Sequence, residues 1–131
     1  MKILIVEDDF TSRLLLQKIL SSYGECHIAV NGKEAMDAFG LALSEGHPYH
    51  LICLDIMMPE MDGMEVLSTI RSMEEENGVN SSAGVKIIMT TALGDPKNVV
   101  GAFKSLCDAY LVKPVNKSKL LDYLRSFGLI T

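Results

Sequence analysis

Apolar residues along the chain alternate between two patterns. Five short runs, residues 3–6, 26–30, 51–54, 85–89 and 109–112, are separated by longer segments in which apolar positions recur every three or four residues. In Ile3-Leu4-Ile5-Val6 and Leu51-Ile52-Cys53-Leu54 every position is apolar. A strand has that composition when both of its faces are covered, as in a parallel sheet between helices. Helical period runs through Leu15, Leu16, Ile19, Leu20 and Tyr23, and again through Ala35, Met36, Phe39 and Leu43. It returns at Met64, Leu67, Ile70 and Met73, and finally at Leu120, Leu121, Leu124 and Phe127, where Gly128 supplies a C-terminal stop. Another helix is expected around residues 96–106; Pro96 suits its first turn, and Gly101 interrupts it. The order βαβαβαβαβα predicts an α/β fold, a five-stranded parallel sheet doubly wound with helices on both faces. Residues 75–84 are polar and glycine-containing and read as a surface insertion, with Glu74-Glu75-Glu76 as a solvated helix end.

Composition narrows the class. The 131 residues suit one domain, and 48% hydrophobic content is enough for a core. A net charge of −5 argues against a nucleic-acid-coating role, which calls for a basic face. No apolar run approaches the roughly 18 residues of a membrane span. The N-terminus turns acidic at Glu7, too early for a signal peptide. Cys26, Cys53 and Cys107 are odd in number and form no CxxC, so they read as small buried hydrophobes in a reducing, cytoplasmic setting. His47-Pro48-Tyr49-His50 has HxxH spacing, but Pro48 opposes a helix presenting both imidazoles, and a solvated loop is the default.

Chemistry is sought beyond the C-terminal ends of the strands, where open parallel sheets build their sites. Glu7, Asp8 and Asp9 follow the first run, Asp55 the third, Thr90 and Thr91 the fourth, and Lys113-Pro114 the fifth. Taken singly, such residues are ordinary loop charges or helix caps. Taken together they suggest a site: if the first and third strands are neighbours, their carboxylates converge and repel unless a cation neutralises them. A hard divalent ion with oxygen ligands fits, Mg²⁺ above all, and it characteristically brings phosphoryl oxygens with it. Thr91 and Lys113 would suit the remaining oxygens of a phosphoryl group.

With those residues in place, the chain resembles the receiver domains of two-component response regulators over essentially its whole length, and in particular the single-domain chemotaxis regulators. The most specific motif is Asp55-Ile56-Met57-Met58-Pro59-Glu60-Met61-Asp62-Gly63. Ile5-Val6-Glu7-Asp8-Asp9, the loop Asn31-Gly32-Lys33-Glu34-Ala35, Thr91-Ala92 and Tyr110-Leu111-Val112-Lys113-Pro114 support it in the same order. The resemblance implies a flavodoxin-like sheet of strand order 2-1-3-4-5. It implies that Asp55 takes a phosphoryl group from the phosphohistidine of a sensor histidine kinase or histidine phosphotransfer domain. It places Mg²⁺, with Mn²⁺ as a substitute, on Asp8, Asp55 and the Met57 carbonyl, with Glu7 acting through a water. Lys113 then offsets phosphoryl charge, Thr91 hydrogen-bonds the new phosphate and Tyr110 is the aromatic switch. Pro114 implies a cis Lys113–Pro114 bond. The implied output is contact with a protein target on the face around residues 96–127, by a monomer or weak dimer without nucleic acid or membrane. The receiver is expected to fill residues 1–131, leaving no output domain.

Several positions depart from the family pattern. Thr91 stands 36 positions after Asp55, several more than is usual, because of the 75–84 segment. Leu106-Cys107 stands where relatives carry glycine. Met57 and Leu93 put bulky apolar groups two residues after Asp55 and Thr91, which predicts exclusion of the hydrolytic water and slow self-dephosphorylation. A relay role, passing the phosphoryl group to a histidine phosphotransfer domain, is an alternative within the family. A haloacid-dehalogenase-like Mg²⁺ phosphatase would share the strand-end Asp, Thr and Lys, but it needs a carboxylate where Met57 stands. A flavin-binding protein of this topology would need a phosphate loop where Glu7-Asp8-Asp9 stands.

Overall fold

The computed structural model describes residues 1–56, 58, 63–80, 83–92 and 107–131, with only the backbone of Met64. The predicted helix at 96–106, Leu93, Met57 and all of residues 59–62 lie outside the described residues.

Five strands, β1 (Lys2–Val6), β2 (Glu25–Ala29), β3 (Leu51–Asp55), β4 (Lys86–Thr91) and β5 (Ala109–Val112), form one parallel sheet in the order β2-β1-β3-β4-β5. Four helices are described: α1 (Phe10–Leu20), α2 (Gly32–Ser44), α3 (Gly63–Glu76) and α4 (Lys117–Ser126). Strand alternation explains why β1 and β3 are apolar throughout. Leu4, Val6, Ile52 and Leu54 point into a core layer with Phe39 of α2 and Leu67 and Ile70 of α3. Ile3, Ile5, Leu51 and Cys53 point the other way, onto Leu16 and Leu20 of α1 and Leu120 and Leu124 of α4. Both faces are therefore dry, as continuous apolar strands require.

Side-chain caps fix where the helices begin. Asp9 Oδ2 accepts from Ser12 N–H at 2.9 Å, Asn31 Oδ1 from Glu34 N–H at 2.8 Å and Asn116 Oδ1 from Lys119 N–H at 3.0 Å. The Asn31–Ala35 motif is thus a helix start rather than a loop. At the end of α4, Gly128 has φ +76° and its N–H bonds Arg125 C=O, while Leu129 N–H bonds Leu124 C=O. That paired pattern is a Schellman stop, which favours glycine at its left-handed position.

Glu74 is not solvated. Its carboxylate is buried, accepts from Val85 N–H at 2.6 Å and pairs with Arg71 Nη1 at 2.8 Å. Arg71 also donates to Val85 C=O at 2.9 Å and reaches Asp108 Oδ2 at 3.2 Å. This network ties the end of α3 to the entry of β4 and β5. All three cysteines are free thiols, and burial pushes Cys53 up to about 12. His50 Nδ1 accepts from Lys2 N–H at 3.0 Å. None of the described helices is long and apolar enough to cross a membrane.

Candidate functional site

The strand order makes β1 and β3 neighbours, with Val6 paired to Leu54, so the residues that follow them emerge side by side. Glu7 continues the ladder, its N–H bonding Ala29 C=O at 3.0 Å, and its side chain is 0% exposed. Asp8 is exposed and Asp55, the last residue of β3, is buried. Glu7, Asp8 and Asp55 each bring a carboxylate oxygen to one point, all within 4.8 Å of one another. The third acid of the run is spent differently: Asp9 is the α1 cap, and its bonds to Ser12 hold its carboxyl below the usual range.

Lys113 enters this group from the end of β5. Its Nζ donates to Asp55 Oδ2 at 3.0 Å and lies 2.5 Å from Glu7 Oε1. The main chain of Lys113 is anchored to β4, since its N–H donates to Thr91 C=O at 2.6 Å. The Lys113–Pro114 peptide bond is cis. One cation does not satisfy the cluster. Burial first, and then the neighbouring Asp55 carboxyl, push Glu7 up to about 7 against the opposing pull of Lys113. Burial alone would lower Lys113, yet its contacts with Glu7 and Asp55 hold it above the usual lysine range. An all-oxygen donor set with surplus negative charge and a buried carboxyl reluctant to ionise fits a hard divalent cation.

Thr91, the last residue of β4, is buried and pairs with Val112. Thr90, which drew little notice in the sequence, pairs with Asp55 in register and carries a buried hydroxyl with no hydrogen-bond partner among the described residues. A Thr-Thr pair at a strand end was its only sequence signal. Tyr110 is 38% exposed and stands on the outer side of β5 with Val112. Both line a groove with Lys119, Asp122 and Tyr123 of α4.

A family profile described as the response regulator receiver domain matches residues 3–125. The chain belongs to that family. Among curated relatives of the receiver, the probable transcriptional regulator ycf27 of Cyanophora paradoxa is 36% identical over 126 residues, covering 95% of the chain and 47% of that protein. The transcriptional regulatory protein SrrA of Staphylococcus aureus is 36% identical over 121 residues, 92% of the chain and 44% of that protein. The receiver spans less than half the length of these relatives. Both are named as transcriptional regulators, and membership of the receiver family sets the haloacid-dehalogenase reading aside.

Solved receivers share the fold. One is the receiver domain of Ssk1 from Saccharomyces cerevisiae, crystallised with the histidine phosphotransfer protein Ypd1. It superposes with a TM-score of 0.77 at 32% identity, covering 98% of this chain and 88% of that one. A receiver domain protein of Methanospirillum hungatei gives 0.71 at 32% identity, covering 98% and 92%.

Proposed function

We propose that Asp55 is a phosphoacceptor that takes a phosphoryl group from the phosphohistidine of a sensor kinase or histidine phosphotransfer protein. The observation that carries this is the placement of Lys113 Nζ 3.0 Å from Asp55 Oδ2 inside the Glu7–Asp8–Asp55 carboxylate cluster. A carboxylate oxygen of Asp55 attacks phosphorus, the P–N bond to the donor imidazole breaks, and the imidazole leaves with that electron pair. Lys113 offsets the charge that gathers on the transferring oxygens and keeps the acceptor oriented. Asp8 and Asp55 would hold Mg²⁺, or Mn²⁺ in its place, with the Met57 carbonyl as a further ligand and Glu7 acting through water. Bound there, the ion would neutralise phosphoryl and carboxylate charge.

Downstream of transfer, Thr91 gives its hydroxyl to the new phosphate and Tyr110 leaves its exposed position to turn inward. The face it now shares with α4 is the surface a protein target reads. The donor reading is supported by the likeness to Ssk1, a receiver crystallised with a phosphotransfer protein.

Incubation with acetyl phosphate is expected to yield an acid-stable, base-labile adduct when Mg²⁺ is present and almost none with chelator. Asp55→Asn is expected to abolish labelling. Equal labelling of Asp55→Asn and wild type would overturn the assignment.

A further inference from the structure

Of the three acids at the β1–β3 edge, only Asp8 lacks a side-chain partner among the described residues. Asp55 is held by Lys113 Nζ at 3.0 Å, and Glu7 by Lys113 and by Asp9 N–H, which donates to its Oε2 at 3.3 Å. The Asp8 carboxylate is exposed and makes no such bond, so its position depends on the main chain that carries it.

That main chain leaves the sheet with a carbonyl to satisfy. In a parallel ladder the N–H and C=O of one residue face the same neighbouring strand. Glu7 N–H donates to Ala29 C=O at 3.0 Å, but its C=O would need residue 31, where the chain has already turned to cap α2. No main-chain N–H of the described residues bonds Glu7 C=O. Arg13, one turn into α1, does so with its side chain: Nη1 donates to that oxygen at 3.3 Å. Its guanidinium lies 5.6 Å from the centroid of the exposed Phe10 ring, a cation–π contact that keeps it turned back toward β1. Arg13 N–H bonds Asp9 C=O at 2.9 Å, so the turn from which it reaches is itself closed. The peptide before Asp8 is therefore held by Arg13 through its C=O, and the peptide after Asp8 is held by Glu7 through its N–H.

We infer that Arg13 is a positioning residue for Asp8, acting through the Glu7–Asp8 peptide to set the geometry of the cation site. The inference rests on the placement of Mg²⁺ at Asp8 proposed above. Two effects of Arg13 oppose one another there. As a cation beside an acidic cluster it repels a divalent ion, so its removal by charge alone would tighten binding. As the anchor behind a ligand its removal would weaken binding, since such outer partners are worth about 10–100-fold in metal affinity. The sign of the change separates the two. Mg²⁺ demands near-ideal octahedral ligands whereas Ca²⁺ accepts irregular ones, so a loosened Asp8 costs Mg²⁺ more than Ca²⁺.

The test is calorimetric titration of wild type and Arg13→Met with Mg²⁺ and with Ca²⁺, together with the NMR order parameter of the Asp8 amide in chelator. Arg13→Met keeps the length of the stem and deletes the donors and the charge. Expected are a roughly 10-fold loss of Mg²⁺ affinity, a smaller loss for Ca²⁺, and an Asp8 order parameter that falls from about 0.85 toward about 0.6. Mg²⁺ binding unchanged or tighter in Arg13→Met would overturn the inference, because charge would then be all that Arg13 contributes. Equal losses for the two ions, or an Asp8 amide as rigid as in wild type, would overturn it as well. Mg²⁺ binding that survives Asp8→Asn would instead defeat the placement of the ion, and the metal-free order parameter would still decide whether Arg13 holds Asp8, so the two failures are distinguishable.

Discussion

A carboxyl group enclosed as fully as Glu7 avoids the cost of its charge in one of two ways: it keeps its proton or it finds a cation. In the metal-free protein Lys113 is shared with Asp55, and Glu7 stays at about 7 where an unfolded chain would have it near 4.5. A raised carboxyl favours folding in its protonated form. That contribution is complete below the unfolded value of 4.5, falls as pH rises past it, and is gone above the folded value of about 7. Metal-free protein should therefore lose up to about 3 kcal/mol of unfolding free energy between pH 4.5 and pH 8. Glu7→Gln should flatten the curve. Lys113 is raised and Asp9 and Glu25 are lowered, so their own changes fall at more alkaline and more acid pH, outside this window. Urea unfolding in chelator at several pH values checks the point; an undiminished slope in Glu7→Gln would assign the dependence elsewhere. The three consecutive acids also show what residue type conceals. Glu7 ends as a buried carboxyl, Asp8 as an exposed ligand candidate and Asp9 as a helix cap, and only the direction in which the chain leaves β1 separates them.

Among secondary-structure elements, the strands were readable because burial on both faces leaves an unbroken apolar run, and all five appear within two residues of their predicted bounds. β4 runs two residues further than its apolar stretch, because Thr90 and Thr91 still pair with Asp55 and Val112. Polar side chains at a strand end gave no sign of that pairing. The network at the end of α3 was hidden for a related reason: Glu74 is in a run of three glutamates, and its main-chain partner, Val85 N–H, is eleven residues away across a turn. Gly84 closes that turn, and a Cβ there would fall 2.6 Å from the Glu74 carboxylate oxygens. Gly84→Ala should accordingly cost about 1–3 kcal/mol by forcing Glu74 off its partners. Glu74→Ala should cost about 3–5 kcal/mol, since it strands the half-buried Arg71 charge and the Val85 N–H. In the Glu74→Ala background the Gly84→Ala penalty should largely vanish, because the atoms it collides with are gone. Chemical denaturation of the four proteins of this cycle measures the coupling, and additive losses would show that Gly84 answers to something else.

At the scale of the whole molecule, a parallel sheet turns distant sequence into one edge. The C-terminal ends of β1, β3 and β5 lie on that edge, and Glu7, Asp55 and Lys113 meet there although 106 positions separate the first from the last. Apolar periodicity could place each residue at a strand end, but not which strands are neighbours; that order came with the family resemblance. The same convergence makes the site a load on the fold, because the carboxylates gathered there repel one another. An ion bound by the native cluster and not by the unfolded chain stabilises by mass action, about 2.7 kcal/mol at 100 times its dissociation constant. For a chain of 131 residues that corresponds to a rise of about 10 °C in Tm. Mg²⁺ should produce such a saturable rise at pH 8, and Na⁺ at matched ionic strength should not, since screening acts weakly on a buried cluster. Asp8→Asn combined with Asp55→Asn should remove the Mg²⁺ response while leaving a folded protein whose own Tm in chelator is no lower, since each substitution deletes a charge that repels Glu7 and Lys113 keeps its ion pair with Glu7. A Mg²⁺ response undiminished in that double variant would place the ion away from the β1–β3 edge, and with it the chemistry assigned to Asp55.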